Sequence, residues 1–366
     1  MKLQKLKKLT LTVVVLMSTV LLASCSIGKK TSSSSSKLTT TGTASGQYQG
    51  VIQNGHYKVS KARGVNINQN DNSYNLKSFE TGLTEVSKKV FSTKSYIFQE
   101  GQYLSTDTIE NWLGRKTKSN PTGLNAAQGK KSDPNPEYVQ QIEEQDFMQQ
   151  NGNSLTLKGI TIGVGINSVY YYQKKLSDAE IQKQGKIAAQ KILTRLRKKS
   201  ALKNVPIVIA LYKQAPNDSL VGGSFFAYSK NNGNTIKSWK KLNYSTKVLP
   251  KASDATSTNS DNETDNTSFS NFKSQIQSFF PNLSGVTAQA QYQNGTLSGM
   301  HITVTTQFYS QSEVQSFTQY IARAAKKYLP NGIPIDIKIQ SSSEMQAVVY
   351  RDSGSNTFRT HVFSSY

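Results

Sequence analysis

The sequence predicts an α+β fold: two mixed domains with antiparallel-rich sheets and packed helices, preceded by a signal peptide and a disordered tether. Three observations predict it. Apolar residues recur at helical spacing in some segments and at period two, or in short apolar runs, in others, and these segments do not alternate as regular βαβ units. About 340 residues follow the only cysteine, too many for one core and enough for two domains. Residues 251–267, KASDATSTNSDNETDNT, hold no large apolar side chain and divide the remainder in two.

In chain order, residues 1–24 come first. Met1 to Lys8 carries four lysines and no acid, and Leu9 to Ser24 carries no charge. That run is too short, and too closely followed by polar residues, for a transmembrane helix of about 20 apolar residues. A basic start with an apolar centre reads as a secretory signal. It ends Leu22-Ala23-Ser24-Cys25. Small residues before the cut let an extended backbone enter a narrow peptidase cleft, placing cleavage between Ser24 and Cys25. Cys25 is the sole cysteine of 366 residues, so no disulfide within the chain explains it. Its thiol is the expected lipid-attachment site. Each buried CH₂ contributes about 0.8 kcal/mol, and two or more chains hold firmly. The body is therefore expected on the extracellular face of the cell membrane, after handling by lipoprotein-processing enzymes.

Residues 25–47 form a Ser/Thr-rich tether, with serines at every position from Ser32 to Ser36. It has too little to bury to offset its conformational entropy. The N-terminal domain spans 48–250. Gln53-Asn54-Gly55-His56 marks a hairpin. Phe79, Leu83, Val86 and Val90 follow helical spacing, and Ser105 or Thr106 caps a short helix holding Trp112. Leu155 to Leu157 and Ile160 to Val164 read as strands, Ser177 to Lys199 as a long helix, and Val205 to Tyr212 and Ser224 to Tyr228 as strands. After the 251–267 linker, the C-terminal domain spans 268–366. It has a helix through Phe269, Phe272, Ile276 and Phe279-Phe280, a hairpin around Asn294-Gly295, and a helix from Ser312 to Tyr328. Strands follow at 335–339, 346–350 and 358–363. No sequence repeat relates the domains.

Chemistry-bearing patterns are sparse. His56, His301 and His361 stand far apart and lack ligand-type neighbours, so no metal and no cofactor are expected. No G-x-S-x-G elbow occurs, and no thiol remains once Cys25 is used. Gly163-Val164-Gly165 lacks the third glycine of a dinucleotide site and reads as a bulge or a close backbone approach. Glu143, Glu144 and Asp146 read as a solvated face, with general acid/base work on a glycan as the sharper alternative. No catalytic residue is expected, and the chain is read as no enzyme.

Lys+Arg number 44 against 22 acids, a net charge of +22 that becomes +18 once the four signal lysines are removed. Such charge on an exported protein attracts polyanions. The sharpest candidate polyanion site is the end of the long helix, Lys191, Arg195, Arg197, Lys198 and Lys199, for anionic wall polymer or lipid headgroups. Equally, cations there complement the helix dipole. Tyr170-Tyr171-Tyr172 is a stacking platform or, more simply, strand packing. A monomer with no specific nucleic-acid partner is expected.

The lipobox, Gly55-His56-Tyr57-Lys58 with Ala62-Arg63-Gly64, Phe79-Glu80-Thr81-Gly82-Leu83 through Phe91-Ser92, Gln99-Glu100-Gly101-Gln102 and Trp112-Leu113-Gly114-Arg115 resemble the CamS family of sex-pheromone-precursor lipoproteins. So do Gly123-Leu124-Asn125 (with Ala126 where the family has proline), Ile209-Ala210-Leu211-Tyr212, Gln214-Ala215-Pro216 and Gly222-Gly223-Ser224-Phe225. Trp239, Phe280-Pro281-Asn282, Glu313 and Gln319-Tyr320 complete the series. The resemblance implies a non-catalytic surface lipoprotein whose discarded signal peptide is trimmed to a short peptide pheromone. Here that segment is Ser18-Thr19-Val20-Leu21-Leu22-Ala23-Ser24. The alternative is a surface lipoprotein that binds a solute or wall polymer.

Overall fold

The computed structural model describes residues 38–42, 46–68, 72–152, 154–170, 174–251, 263–279, 285–308 and 310–364. The expected signal peptide, the candidate pheromone segment, Cys25, most of the expected tether, Tyr171-Tyr172 and Phe280-Pro281-Asn282 lie outside the described residues.

Strands β1 (Leu38–Thr40), β2 (Val51–Gln53) and β3 (His56–Tyr57) form a small antiparallel sheet. Asn54 and Gly55 turn the hairpin at φ 54° and 82°, the left-handed region that the Asn-Gly pair favours. Helices α1 (Arg63–Asn68) and α2 (Ser73–Lys88) follow, the latter capped by the Asn72 side chain, which accepts from the Tyr74 and Asn75 N–H groups. Then come β4 (Ile97–Glu100) and α3 (Thr106–Leu113), capped by Ser105. The strands β5 (Val139–Asn151) and β6 (Ser154–Ile166) form a long hairpin. Helix α4 (Asp178–Leu196), capped by Ser177, leads to β7 (Ile207–Lys213), β8 (Ser224–Asn231) and β9 (Lys240–Lys241). These strands make one sheet in the order β9-β8-β7-β6-β5-β4. Only β6 and β7 are parallel, with α4 as their crossover.

This sheet is covered on both faces. Ile207, Ile209 and Leu211 face α4 with Ile160, Ile162 and Val164, while Val208, Ala210 and Tyr212 face Phe79, Leu83 and Val86 of α2. Burial on two faces is why β7 reads as an unbroken apolar run. Facing α2, a Cβ on Gly163 would stand 2.7 Å from the Phe79 ring, so the Gly-Val-Gly run is a close backbone approach. The two short strands expected at 155–157 and 160–164 are one strand of 13 residues. Its partner β5 is rich in Gln and Glu, which propensity alone disfavours in a strand; pairing with β6 overrides it.

The second sheet is β10-β11-β12-β13-β14-β15: β10 (Tyr244–Leu249), β11 (Gly285–Gln293), β12 (Thr296–Thr305), β13 (Ile335–Gln340), β14 (Met345–Arg351) and β15 (Arg359–Val362). Helix α5 (Glu263–Phe279) and helix α6 (Gln311–Tyr328) share one face. Phe269, Phe272, Phe317 and Ile321 pack there on Val286, Ile302, Ile337 and Val349. The other face is polar, so β11 shows clean alternation, Val286, Ala288, Ala290 and Tyr292 buried between Thr287 and Gln291 exposed. Two boundaries differ from the sequence expectation. Strand β10 lies within the expected 48–250 domain yet pairs with β11, and α5 begins at Glu263, inside the expected 251–267 linker. Pairing to a distant strand carries no local sequence mark.

The two sheets repeat one topology. From β4 to β9 and from β10 to β15 the six strands stand in the same order. The relative directions also match, antiparallel throughout except for the third and fourth strands, which are parallel and joined by a helix. The copies differ in that α2 precedes β4 whereas α5 follows β10.

Candidate functional site

Between α1, α2, β4, the loop after it and β5 lies a cavity of about 130 Å³. Its apolar wall is Ala62, Leu76, Phe98, Leu104, Ile109 and Ile142; its charged groups are Glu80, Glu100, Glu143, Glu144 and Arg63. Helical spacing puts Leu76 and Glu80 on one side of α2, and strand alternation puts Phe98 and Glu100 on one side of β4.

The acids expected on a solvated face are enclosed instead. Alternation along β5 sends Glu143 with Gln145 toward α2, and Glu144 with Asp146 toward the segment Gly101–Leu104. Glu144 is buried and accepts the N–H groups of Tyr103 at 3.0 Å and Leu104 at 2.6 Å. A Cβ on Gly101 would stand 2.4 Å from the Glu144 Cβ, so glycine is what allows the loop this close. Asp146 is fully buried and accepts from the Gln102 N–H at 3.1 Å. Burial, then the adjacent Glu144 charge, pushes Asp146 well above the usual carboxylate range, and burial also raises Glu144. The two carboxyls hydrogen-bond each other, which requires one shared proton. Asp146 Oδ1 is buried without a hydrogen-bond partner. Asp146 Oδ2 and the Glu144 oxygens clamp the loop.

Glu143 is half-buried, and burial, reinforced by the charge of Glu80, pushes it up to about 8; a hydrogen bond from Gln145 Nε2 at 3.3 Å opposes the shift. Glu100 accepts the Ser60 N–H at 2.8 Å and pairs with Arg63 at 3.4 Å. Glu143 and Glu80 are thus the carboxyls with acceptor capacity to spare. The folded chain keeps the Glu143 proton up to about pH 8, whereas the unfolded chain releases it near 4. This group therefore favours folding at acid pH, and its contribution is lost as pH rises through the folded value. Between the two values stability falls by up to about 1.4 kcal/mol per pH unit. The gain in urea midpoint of Glu143→Gln over the parent should grow from pH 5 to pH 8; a difference that does not change with pH would refute the assignment.

The five cations of the candidate polyanion site do not form one exposed cluster. Lys191, Lys198 and Lys199 are exposed. Arg195 lies half-buried, its guanidinium 5.2 Å from the Trp112 ring centroid. Arg197 turns inward and donates to the carbonyls of Gly233, Leu202, Val205 and Asn231. The three histidines are exposed, with His301 Nδ1 3.0 Å from Asp336, which it holds below the usual carboxylate range. Among the described residues no group of three His, Cys, Asp or Glu is placed to hold a metal ion, and no helix is long and apolar enough to cross a membrane. The cavity escaped sequence reading because its residues come from segments up to 84 positions apart, Ser60 to Glu144; the one local signal was the cluster of acids on β5.

A family model described as CamS sex pheromone cAM373 precursor matches residues 57–357. The crystal structure of a sex pheromone precursor from Lactobacillus salivarius is similar at 53% identity and TM-score 0.84, over 90% of this chain and 100% of that one. The structure of the C-terminal domain of the sex pheromone staph-cAM373 precursor from Staphylococcus aureus is similar at 30% identity and TM-score 0.68, over 81% of this chain and 99% of that one. No curated protein matches.

Proposed function

Since the chain belongs to the CamS family of sex pheromone precursors, we propose that it is made as a lipoprotein precursor with two products. One is a lipid-anchored extracellular body beginning at Cys25; the other is a short peptide from the end of the signal, Ser18-Thr19-Val20-Leu21-Leu22-Ala23-Ser24. The observation that carries this reading is the chain's single cysteine, placed directly after Leu22-Ala23-Ser24 at the end of an uncharged run. The family match covers the body from residue 57, so the anchor rests on residues 1–25 themselves. Membership in a family of pheromone precursors fits a secreted or cell-surface protein.

The body is read as non-catalytic: the buried carboxyls Glu144 and Asp146 hold the Gly101–Leu104 loop. A second reading, binding of anionic wall polymer or lipid headgroups, is favoured by exposed Lys191, Lys198 and Lys199 around the end of α4.

Cys25→Ala should leave the chain unprocessed or move it from the membrane fraction to the medium. A variant that is still cut before residue 25 and still carries lipid would sink the anchor. Synthetic 18–24 peptide should induce clumping or conjugation in responder cells, and inert peptide would remove the pheromone product while leaving the anchor intact.

A further inference from the structure

We propose that the cavity between α1, α2, β4 and β5 is a binding site for a small primary alkylammonium, its head between Glu80 and Glu143 and its hydrocarbon against Phe98, Leu104 and Ile109. The site is independent of the lipid anchor.

Charge is the first ground. In a chain of net charge +22, the wall gathers four carboxyls against Arg63 alone. Hydrogen bonding then separates those four. Glu144 is satisfied by the Tyr103 and Leu104 N–H groups, and Glu100 by Ser60 and Arg63. Glu143 has one long hydrogen bond, from Gln145, and Glu80 has no ion pair among the described residues. Glu143, enclosed and with so few donors, loses hydration without replacement, and an ammonium head with three N–H groups supplies the missing donors while exposed Glu80 adds its charge.

The remaining wall sets the ligand's other end. Phe98, Leu104, Ile109 and Ile142 offer hydrocarbon, and the Phe98 ring can receive a cation on its face. A bare metal ion would leave this apolar wall unused, and a long polyamine exceeds a cavity of about 130 Å³. A head group with a few methylenes fits both.

The charges acting on Glu143 include Glu80 from α2, Glu100 from β4 and Arg63 from α1. Since burial and Glu80 keep a proton on Glu143 near neutral pH, a bound cation favours its carboxylate and expels that proton. Binding is therefore linked to proton release, which an uncharged ligand would not produce.

The test is titration calorimetry of the purified chain with n-butylammonium chloride at pH 7, in two buffers of different ionisation enthalpy. We expect saturable one-to-one binding with proton release. The uncharged n-butanol, and tetramethylammonium with no N–H donor, should each bind at least about tenfold more weakly. Glu143→Gln mimics the protonated acid and so keeps the fold; it should weaken n-butylammonium at least about tenfold and abolish proton release. Glu80→Gln, on an exposed position, should weaken it without unfolding risk. No saturable heat at tens of millimolar, equal binding by n-butanol or tetramethylammonium, or unchanged affinity in both variants would each overturn the proposal.

Discussion

Phe79→Ala is expected to lower folding stability by about 3–5 kcal/mol, read from urea unfolding. The ring is fully buried, with centroids 5.0 Å from Tyr212 and 5.2 Å from Phe225. Beneath it the β6 backbone offers Gly163 and Gly165, whose missing side chains the ring replaces. No neighbouring side chain on β6 can swing into the void, so the cavity stays open and the loss sits at the high end for such changes. The same geometry predicts that Gly163→Ala destabilises by overpacking, since its Cβ would meet the ring at 2.7 Å. Combining Gly163→Ala with Phe79→Leu should cost less than the sum of the two. A loss below about 1 kcal/mol for Phe79→Ala would mean that α2 does not pack on β6 as described.

Arg197→Ala is expected to cost about 3 kcal/mol, whereas Lys198→Ala and Lys199→Ala should stay within about 0.5 kcal/mol. One guanidinium gathers the carbonyls of Leu202 and Val205, just beyond α4, with Asn231 and Gly233 at the end of β8. Its donors satisfy acceptors from two separate chain segments, and charged hydrogen bonds of this kind are worth about 1.5–3 kcal/mol. Removing the side chain leaves several half-buried carbonyls with no replacement donor. The comparison also separates two roles that look alike in the sequence. If binding of wall polymer falls with Lys191→Gln, Lys198→Gln and Lys199→Gln at unchanged thermal midpoint, the lysines bind. If Arg197→Ala leaves the midpoint unchanged, the clamp is not what holds this corner.

Much of the local structure was legible. Asn54-Gly55 and Asn294-Gly295 are hairpin turns with positive φ at both residues, because only the turn itself decides that conformation. Ser105, one of the two expected caps, starts its helix, and Ser177 caps the helix expected to begin there, since a hydroxyl three positions ahead of an N–H is a local arrangement. The C-terminal strands were readable because their sheet has one wet face, which writes burial into the sequence at period two. Strand β5 leaves no single period in the sequence, because with both faces enclosed it mixes Gln, Glu and Asp with Ile and Phe.

The site was less legible for a related reason. Glu143, Glu144 and Asp146 look like a solvated face because acids are usually exposed. What keeps Glu144 and Asp146 inside is a loop whose three N–H groups come from residues 102–104 and a shared proton, neither of which any short window of sequence contains. Likewise, the run of basic residues at the end of α4 says nothing about which side chains turn inward toward carbonyls of β8.

By itself, the sequence determined the elements: the uncharged run ending at Cys25, the turns, the caps, the alternation of the open-faced sheet and the α+β class. These depend on neighbours within a few positions. Only the tertiary structure decided that β10 joins the second sheet, that two six-stranded sheets share one topology, and that acids from three segments meet around one cavity. Strand partners and buried charges are chosen by long-range hydrogen bonds and by exclusion of water, and both depend on which segments meet in space.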